Sequence, residues 1–100
     1  MKNPILMLNK FFDHRVRLGV MSALMVNESV SFNDLKLLLE VTDGNLASHL
    51  NQLEEAGYLS CKKSFAGRMP LTEYKITKEG RKALERYLDH MEALINAMRP

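Results

Sequence analysis

Apolar residues recur along the chain in two rhythms, helical at the ends and centre and alternating in between, and each run predicts an element. Ile5, Leu8, Phe11 and Phe12 fall on one helical face, and after Asp13 the positions Val16, Val20, Met21, Leu24 and Met25 form a broad apolar surface as far as Asn27. Asn3 and Pro4 suit the N-cap and first helical position of the first segment, and Asp13 can cap the second, so two helices joined by a bend are expected over residues 4–27. Leu35, Leu38 and Leu39, then Leu46, Leu50 and Leu53, repeat the spacing of a single buried face, predicting two short helices around a tight turn within residues 31–57. Ser31 with Asp34 resembles a capping box for the first of these, and Thr42 is the expected N-cap of the second. From Leu59 the period becomes two: Leu59 and Cys61 alternate with Ser60 and Lys62, and Tyr74 and Ile76 with Glu73, Lys75 and Thr77. With Ala66-Gly67-Arg68-Met69-Pro70 as turn residues, residues 59–77 are a hairpin, although Lys63 breaks the alternation. The pair Val30-Ser31, with its β-branched valine, is suited to the edge of that sheet. Thr77 caps a last helix over residues 78–98, apolar at Ala83, Leu84, Tyr87, Leu88, Met91, Leu94, Ile95 and Met98.

The fold class that follows is mainly α with a small antiparallel β-hairpin (α+β), a winged helix-turn-helix with additional N- and C-terminal helices. One hundred residues suffice for one such domain, spanning residues 1–100.

The second helix of the central pair is unusual on its polar side. Thr42, Asp43, Asn45, Ser48, His49, Asn51 and Gln52 are short or hydrogen-bonding groups, not the Lys/Glu mixture of an ordinary solvated helix. That is the composition of a helix that reads base edges, with Asn45, Ser48, His49 and Gln52 as the contacts. An accidentally polar surface helix is the plainer alternative.

Charge distribution separates the two. The net charge is only +2, but residues 41–60 carry three acidic and no basic groups (−3), whereas residues 61–82 carry seven basic and two acidic (+5). The positive segment directly follows the polar helix, where nucleic-acid backbone contacts would be needed. Lys62, Lys63, Arg68 and Lys75 are the candidate phosphate neutralisers, against the alternative of a merely solvated hairpin face.

Other chemistries find little footing. The single cysteine, Cys61, excludes an intramolecular disulfide or a multi-cysteine zinc site, and is most simply a small core hydrophobe. His14, His49 and His90 lie far apart without metal-ligand spacing, so no metal and no cofactor is expected. There is no glycine-rich phosphate loop or nucleophile motif, and the chain is not expected to be an enzyme. The most hydrophobic stretch, Leu18 to Val26, is far short of the roughly 20 residues that span a bilayer, and no secretion signal is evident, so a cytoplasmic protein without membrane contact is expected.

The terminal stripes exceed what so small a core can cover. Leu8, Phe11, Phe12, Tyr87, Met91, Leu94, Ile95 and Met98 are therefore expected to form a two-fold interface in a homodimer, which also suits palindromic DNA. A small-molecule effector among Phe11, Phe12, Tyr87 and Met91 is compatible with that arrangement.

Taken together, Thr42-Asp43-Gly44-Asn45-Leu46-Ala47-Ser48-His49-Leu50, Leu53-Glu54-Glu55-Ala56-Gly57-Tyr58, Lys63-Ser64-Phe65-Ala66-Gly67-Arg68, Pro70-Leu71-Thr72 and Ile76-Thr-x-x-Gly-Arg81 resemble small winged-helix transcriptional regulators related to the MarR and ArsR groups. The resemblance covers about residues 8–90 and implies a cytoplasmic prokaryotic regulator, dimeric through its terminal helices and without catalytic activity. By matching position it gives Thr42, Asn45, Ser48, His49, Lys63 and Arg68 the DNA-contacting role. Three departures stand out. Glu40 occupies the turn position usually held by Gly, Met69 and Leu71 replace wing residues that are often basic, and the two-cysteine metal motif of metal-sensing ArsR proteins is absent. The expected function is a dimeric, sequence-specific DNA-binding transcriptional regulator. The alternative is a winged-helix protein-interaction module whose wing contacts are Phe65, Met69 and Leu71.

Overall fold

The computed structural model describes residues 4–100, so the expected Asn3 cap lies outside the described residues. Two short 3-10 turns, Pro4–Met7 and Lys10–Phe12, lead into α1 (Arg15–Val26), β1 (Val30–Ser31), α2 (Phe32–Leu39), α3 (Asp43–Glu55), β2 (Leu59–Ala66), β3 (Met69–Ile76) and α4 (Lys78–Met98). The sheet is antiparallel in the order β1-β3-β2, with Val30 opposite Tyr74 and Leu59 opposite Ile76. This is a winged helix, as the hydrophobic pattern implies, and Val30-Ser31 does pair at the sheet edge.

The core joins one face of each helix to the base of the sheet. Val20, Met21 and Leu24 of α1, Leu35 of α2, Leu46, Leu50 and Leu53 of α3, Leu59 of β2, Tyr74 of β3 and Leu84 of α4 are all buried. Fully burying a Leu-sized side chain contributes about 1.5–3 kcal/mol, so the three α3 leucines hold the helix down firmly.

The caps are local and specific. Ser31 Oγ accepts from Asp34 N (3.1 Å) and Thr42 Oγ1 from Asn45 N (3.2 Å), as expected. Thr77 does more: its Oγ1 accepts from Gly80 N (2.9 Å) and donates to Gly57 O (2.6 Å), while its N donates to Tyr58 O (3.1 Å). The start of α4 is thereby tied to the end of α3. Gly80 is required there, because a Cβ would overlap the Tyr58 carbonyl.

Four expectations are corrected. The N-terminal segment is not two α-helices: two 3-10 turns precede α1, Asn9 Oδ1 accepting from Phe11 N (2.9 Å) at the second, and α1 is capped by His14, whose Nδ1 accepts from Val16 N (3.1 Å), not by Asp13. Leu38 is 63% exposed; with Leu35 and Leu39 facing the core, it lies past the edge of the buried face of an eight-residue helix. The hairpin turn is Gly67-Arg68 alone, and both strands continue through Lys63 and Pro70. Alternation is lost there because the strands have run past the core, leaving no buried face to impose it. Finally, Phe12 (1% exposed) and Tyr87 (6%) belong to the interior, in edge-to-face contact at 5.4 Å, so they are not part of an exposed interface patch.

The turn between α2 and α3 places Glu40 in the left-handed region (φ 52°, ψ 51°). A non-glycine residue there costs about 1–2 kcal/mol. Among the described residues no helix is long and apolar enough to cross a membrane.

Candidate nucleic-acid interface

Helix α3 buries Leu46, Leu50 and Leu53 and turns the opposite side outward. Asn45, Ser48, Asn51 and Gln52 are exposed, and from Asn45 to Gln52 there is no charged side chain. Gln52 Nε2 donates a long 3.5 Å bond to Ser48 Oγ, one turn away, so these two and Asn45 share one face. Thr42 is also exposed, with its hydroxyl engaged as the N-cap. Lys36 Nζ pairs with Asp43 Oδ1 at 2.7 Å across the turn and anchors the start of α3 to α2. Both side chains are largely solvated, so the pair contributes at most about 1 kcal/mol.

His49 is placed differently from its neighbours. Its half-buried ring stacks on His14 with centroids 4.1 Å apart, at the junction of α3 and the start of α1. Its Nδ1 is buried and has no hydrogen-bond partner among the described residues. Burial, then the neighbouring His14 and Arg17, pushes its pKa below the ordinary 6.5. The ring is therefore a neutral strut beneath the polar face more than a free member of it. Arg17 completes the cluster, its guanidinium 4.9 Å over the Phe11 ring.

His14 and Arg17 were not singled out as site residues from the sequence, yet a signal existed. Arg15 and Arg17 sit in the first turn of α1, at the positive end of its dipole, where cations are disfavoured.

The hairpin supplies the cations. Lys62, Lys63 and Arg68 are all exposed, with Arg68 at the apex beside Gly67 (φ 64°). Lys62 lies opposite Glu73 and Lys63 opposite Thr72, so the two lysines point to opposite faces of the ribbon. Lys62, Lys75, Ser29, Ser60 and Glu73 line one shallow hollow, where Ser29 Oγ donates to Glu73 Oε2 at 3.3 Å. At the base, Tyr74 lies opposite Cys61, and its hydroxyl is pushed up to about 12 by burial, then by the thiol.

The residues expected at a two-fold interface divide. Leu8, Met91 and Leu94 are half-buried, Ile95 and Met98 are exposed, and Phe11 is half-buried against Tyr58 (5.5 Å). Phe12 and Tyr87 meet edge to face within the protomer at 5.4 Å. A separate hollow of about 270 Å³ lies between the first 3-10 turn and α4, lined by Ile5, Leu8, Lys10, Asp13 and Tyr87 among others. No group of three or more potential metal ligands occurs among the described residues.

Comparison with known proteins agrees with this geometry. A family model described as a winged helix DNA-binding domain matches residues 16–95. The uncharacterized protein MJ0432 of Methanocaldococcus jannaschii is 42% identical over 79 residues, 79% of this chain and 86% of that protein. The structure of a transcriptional regulator homologue from Pyrococcus horikoshii OT3 superposes with a TM-score of 0.85 at 32% identity, covering 92% of this chain and 91% of its own. Bacillus subtilis PadR, solved in complex with operator DNA, shares the fold at a TM-score of 0.67 and 14% identity, over 75% of this chain and 48% of its own. With the exposed polar helix and the cationic hairpin in place, the chain belongs to the winged helix DNA-binding domain family.

Proposed function

We propose that the protein is a dimeric, sequence-specific DNA-binding transcriptional regulator, with α3 in the major groove and the wing on the backbone. The observation that carries this is the outer face of α3: three exposed hydrogen-bonding side chains, Asn45, Ser48 and Gln52, with no charge among them, on a helix held rigid from below by three buried leucines. Such groups discriminate base edges at about 1–3 kcal/mol per good bidentate pair. Lys62, Lys63 and Arg68 supply the sequence-independent part. The same fold carries a DNA-bound regulator in PadR.

Dimerisation rests on the exposed apolar surface of the two chain ends. Ile5, Leu6 and Met7 of the first turn and Leu88, Ile95 and Met98 of α4 are exposed apolar side chains of the kind that mark an interaction surface. A second copy covers it and pairs two recognition helices about 34 Å apart, matching half-sites one helical turn apart. A small-molecule effector would be held in the hollow lined by Lys10, Asp13 and Tyr87.

The test is selection of bound duplexes from random DNA. Symmetric half-sites are expected, and Asn45→Ala with Gln52→Ala relaxes the base preference without changing thermal stability. No enriched sequence, or an enriched sequence indifferent to both changes, overturns the assignment. His49→Ala is a poor probe, since it also removes the strut on His14.

A further inference from the structure

Two buried side-chain nitrogens lack a hydrogen-bond partner among the described residues, His49 Nδ1 and Arg17 Nε, and both belong to the junction where α1 meets α3. Orphaned polar atoms of this kind are uncommon in a folded interior and call for a reason. His14 closes the same junction from the α1 side. It is exposed, its ring lies 4.1 Å from that of His49 at an interplanar angle of 36°, and its Nδ1 accepts from Val16 N.

Each ring therefore has one nitrogen that resists a proton for a geometric reason. An imidazolium carries a hydrogen on both nitrogens. On His14, a hydrogen at Nδ1 would face the Val16 N–H, undo the cap of α1 and set a positive charge at the positive end of its dipole. On His49, a hydrogen at Nδ1 would be a buried donor with no acceptor. Neither ring can be charged with its present contacts intact.

The surrounding charges add to this. Arg17 acts on His49 from α1, with its guanidinium held over the Phe11 ring, and His14 becomes a second cation there once protonated. Asp13, Arg15 and Glu40 share with His14 the hollow that opens beside Thr42 and Asn45. Helix α3 contributes no charge between Asp43 and Glu54. His49 stands one residue past Ser48 and three before Gln52, so a displacement of its ring re-aims the face that carries both.

We propose that His14 and His49 are positioning residues for α3: as a neutral stack they set its base-reading face, and protonation opens the stack and exchanges sequence-specific for sequence-independent DNA binding. This rests on the DNA-binding reading above and adds a proton dependence to it. Both halves follow from one event. The opened junction misplaces Ser48 and Gln52, whereas the added positive charge attracts any duplex through its phosphates. The pair therefore controls the ratio of specific to non-specific affinity more than affinity itself.

The experiment measures that ratio for the full chain, with a duplex selected from random DNA and a scrambled duplex of equal length, at constant ionic strength across the histidine range of about pH 5–8. For wild type the ratio should fall about tenfold as pH drops below 6.5, the order of one lost base contact. His14→Asn with His49→Gln should hold the ratio constant, because Asn keeps a cap acceptor and neither side chain takes a proton. Arg17→Gln removes a cation from beside His49 and should move the midpoint of the fall to higher pH, a shift that a purely structural role would not produce. A wild-type ratio that stays flat while both duplexes bind overturns the proposal and leaves the DNA assignment standing. So does a double variant whose ratio falls like that of wild type, or an Arg17→Gln midpoint at or below the wild-type one. Absence of salt-sensitive binding to any duplex at the upper end of the range overturns the DNA assignment, and this proposal with it.

Discussion

The base and the tip of the wing hairpin are built from similar side chains and have opposite environments. At the base, Leu59 and Tyr74 are buried against the helices, with Cys61 and Ile76 half-buried beside them. At the tip, Phe65 and Met69 stand almost fully in solvent on the same two strands. Apolarity does not distinguish them. What does is whether a second layer lies across from the strand: α1 and α3 pack on the base, and the ribbon simply outruns them. The base therefore contributes to stability and the tip does not, and mutations should separate the two.

The largest separation is expected between Tyr74→Ala and Phe65→Ala. Removing the buried ring should cost about 3–5 kcal/mol, whereas Phe65→Ala should stay within about 0.5 kcal/mol of wild type; denaturant melts compare them directly. Equal losses would mean that the tip is packed after all. Gly80→Ala should cost about 3 kcal/mol, because its methyl group overlaps the Tyr58 carbonyl and neither backbone can yield cheaply. Thr77→Ala should follow at about 1–2 kcal/mol, the range for a lost N-cap, with the bond to Gly57 O lost as well.

Acid should affect the body of the domain and not the wing. Burial and the adjacent His14 and Arg17 depress the pKa of His49 in the folded state. Below pH 6.5 the unfolded chain therefore takes up a proton at this residue that the folded chain does not. Its contribution to stability is complete above that pH and is lost as pH falls toward and through the lower folded pKa. His49→Gln should flatten that part of the stability profile, measured by melts across pH 5–8; an unchanged profile would remove His49 as its source. Finally, the two tight turns offer a small contrast. Gly67 holds a positive φ freely, whereas Glu40 holds one under strain. Glu40→Gly should stabilise by about 0.5 kcal/mol, the left-handed penalty relieved less the added freedom of the unfolded chain.

Much of this was legible in the amino-acid pattern, and the failures share a physical cause. The spacing of Leu46, Leu50 and Leu53 marks α3 and its outward face, and Thr42 and Thr77 mark where two helices begin. Val30-Ser31 is too short to stand alone and its composition suits a sheet edge, while its partner, β3, is set by the fold. Periodicity failed where a residue's surroundings come from a distant segment. Phe12 and Tyr87 looked like part of an exposed stripe because neither could be known to meet the other across 75 positions of chain. His49 sits in sequence among the candidate base contacts, and only the fold brings His14 against it. Leu38 was misplaced because α2 is too short for its heptad-like spacing to define a single face.

The central claim, that the polar face of α3 and the cations of the wing bind duplex DNA as a pair of protomers, is tested most directly by the salt dependence of affinity for a selected duplex. With three or four of Lys62, Lys63, Arg68 and Lys75 acting in each protomer, Z is about 6–8, and log K should fall against log salt concentration with a slope of about −5 to −7. A slope near zero would contradict the account.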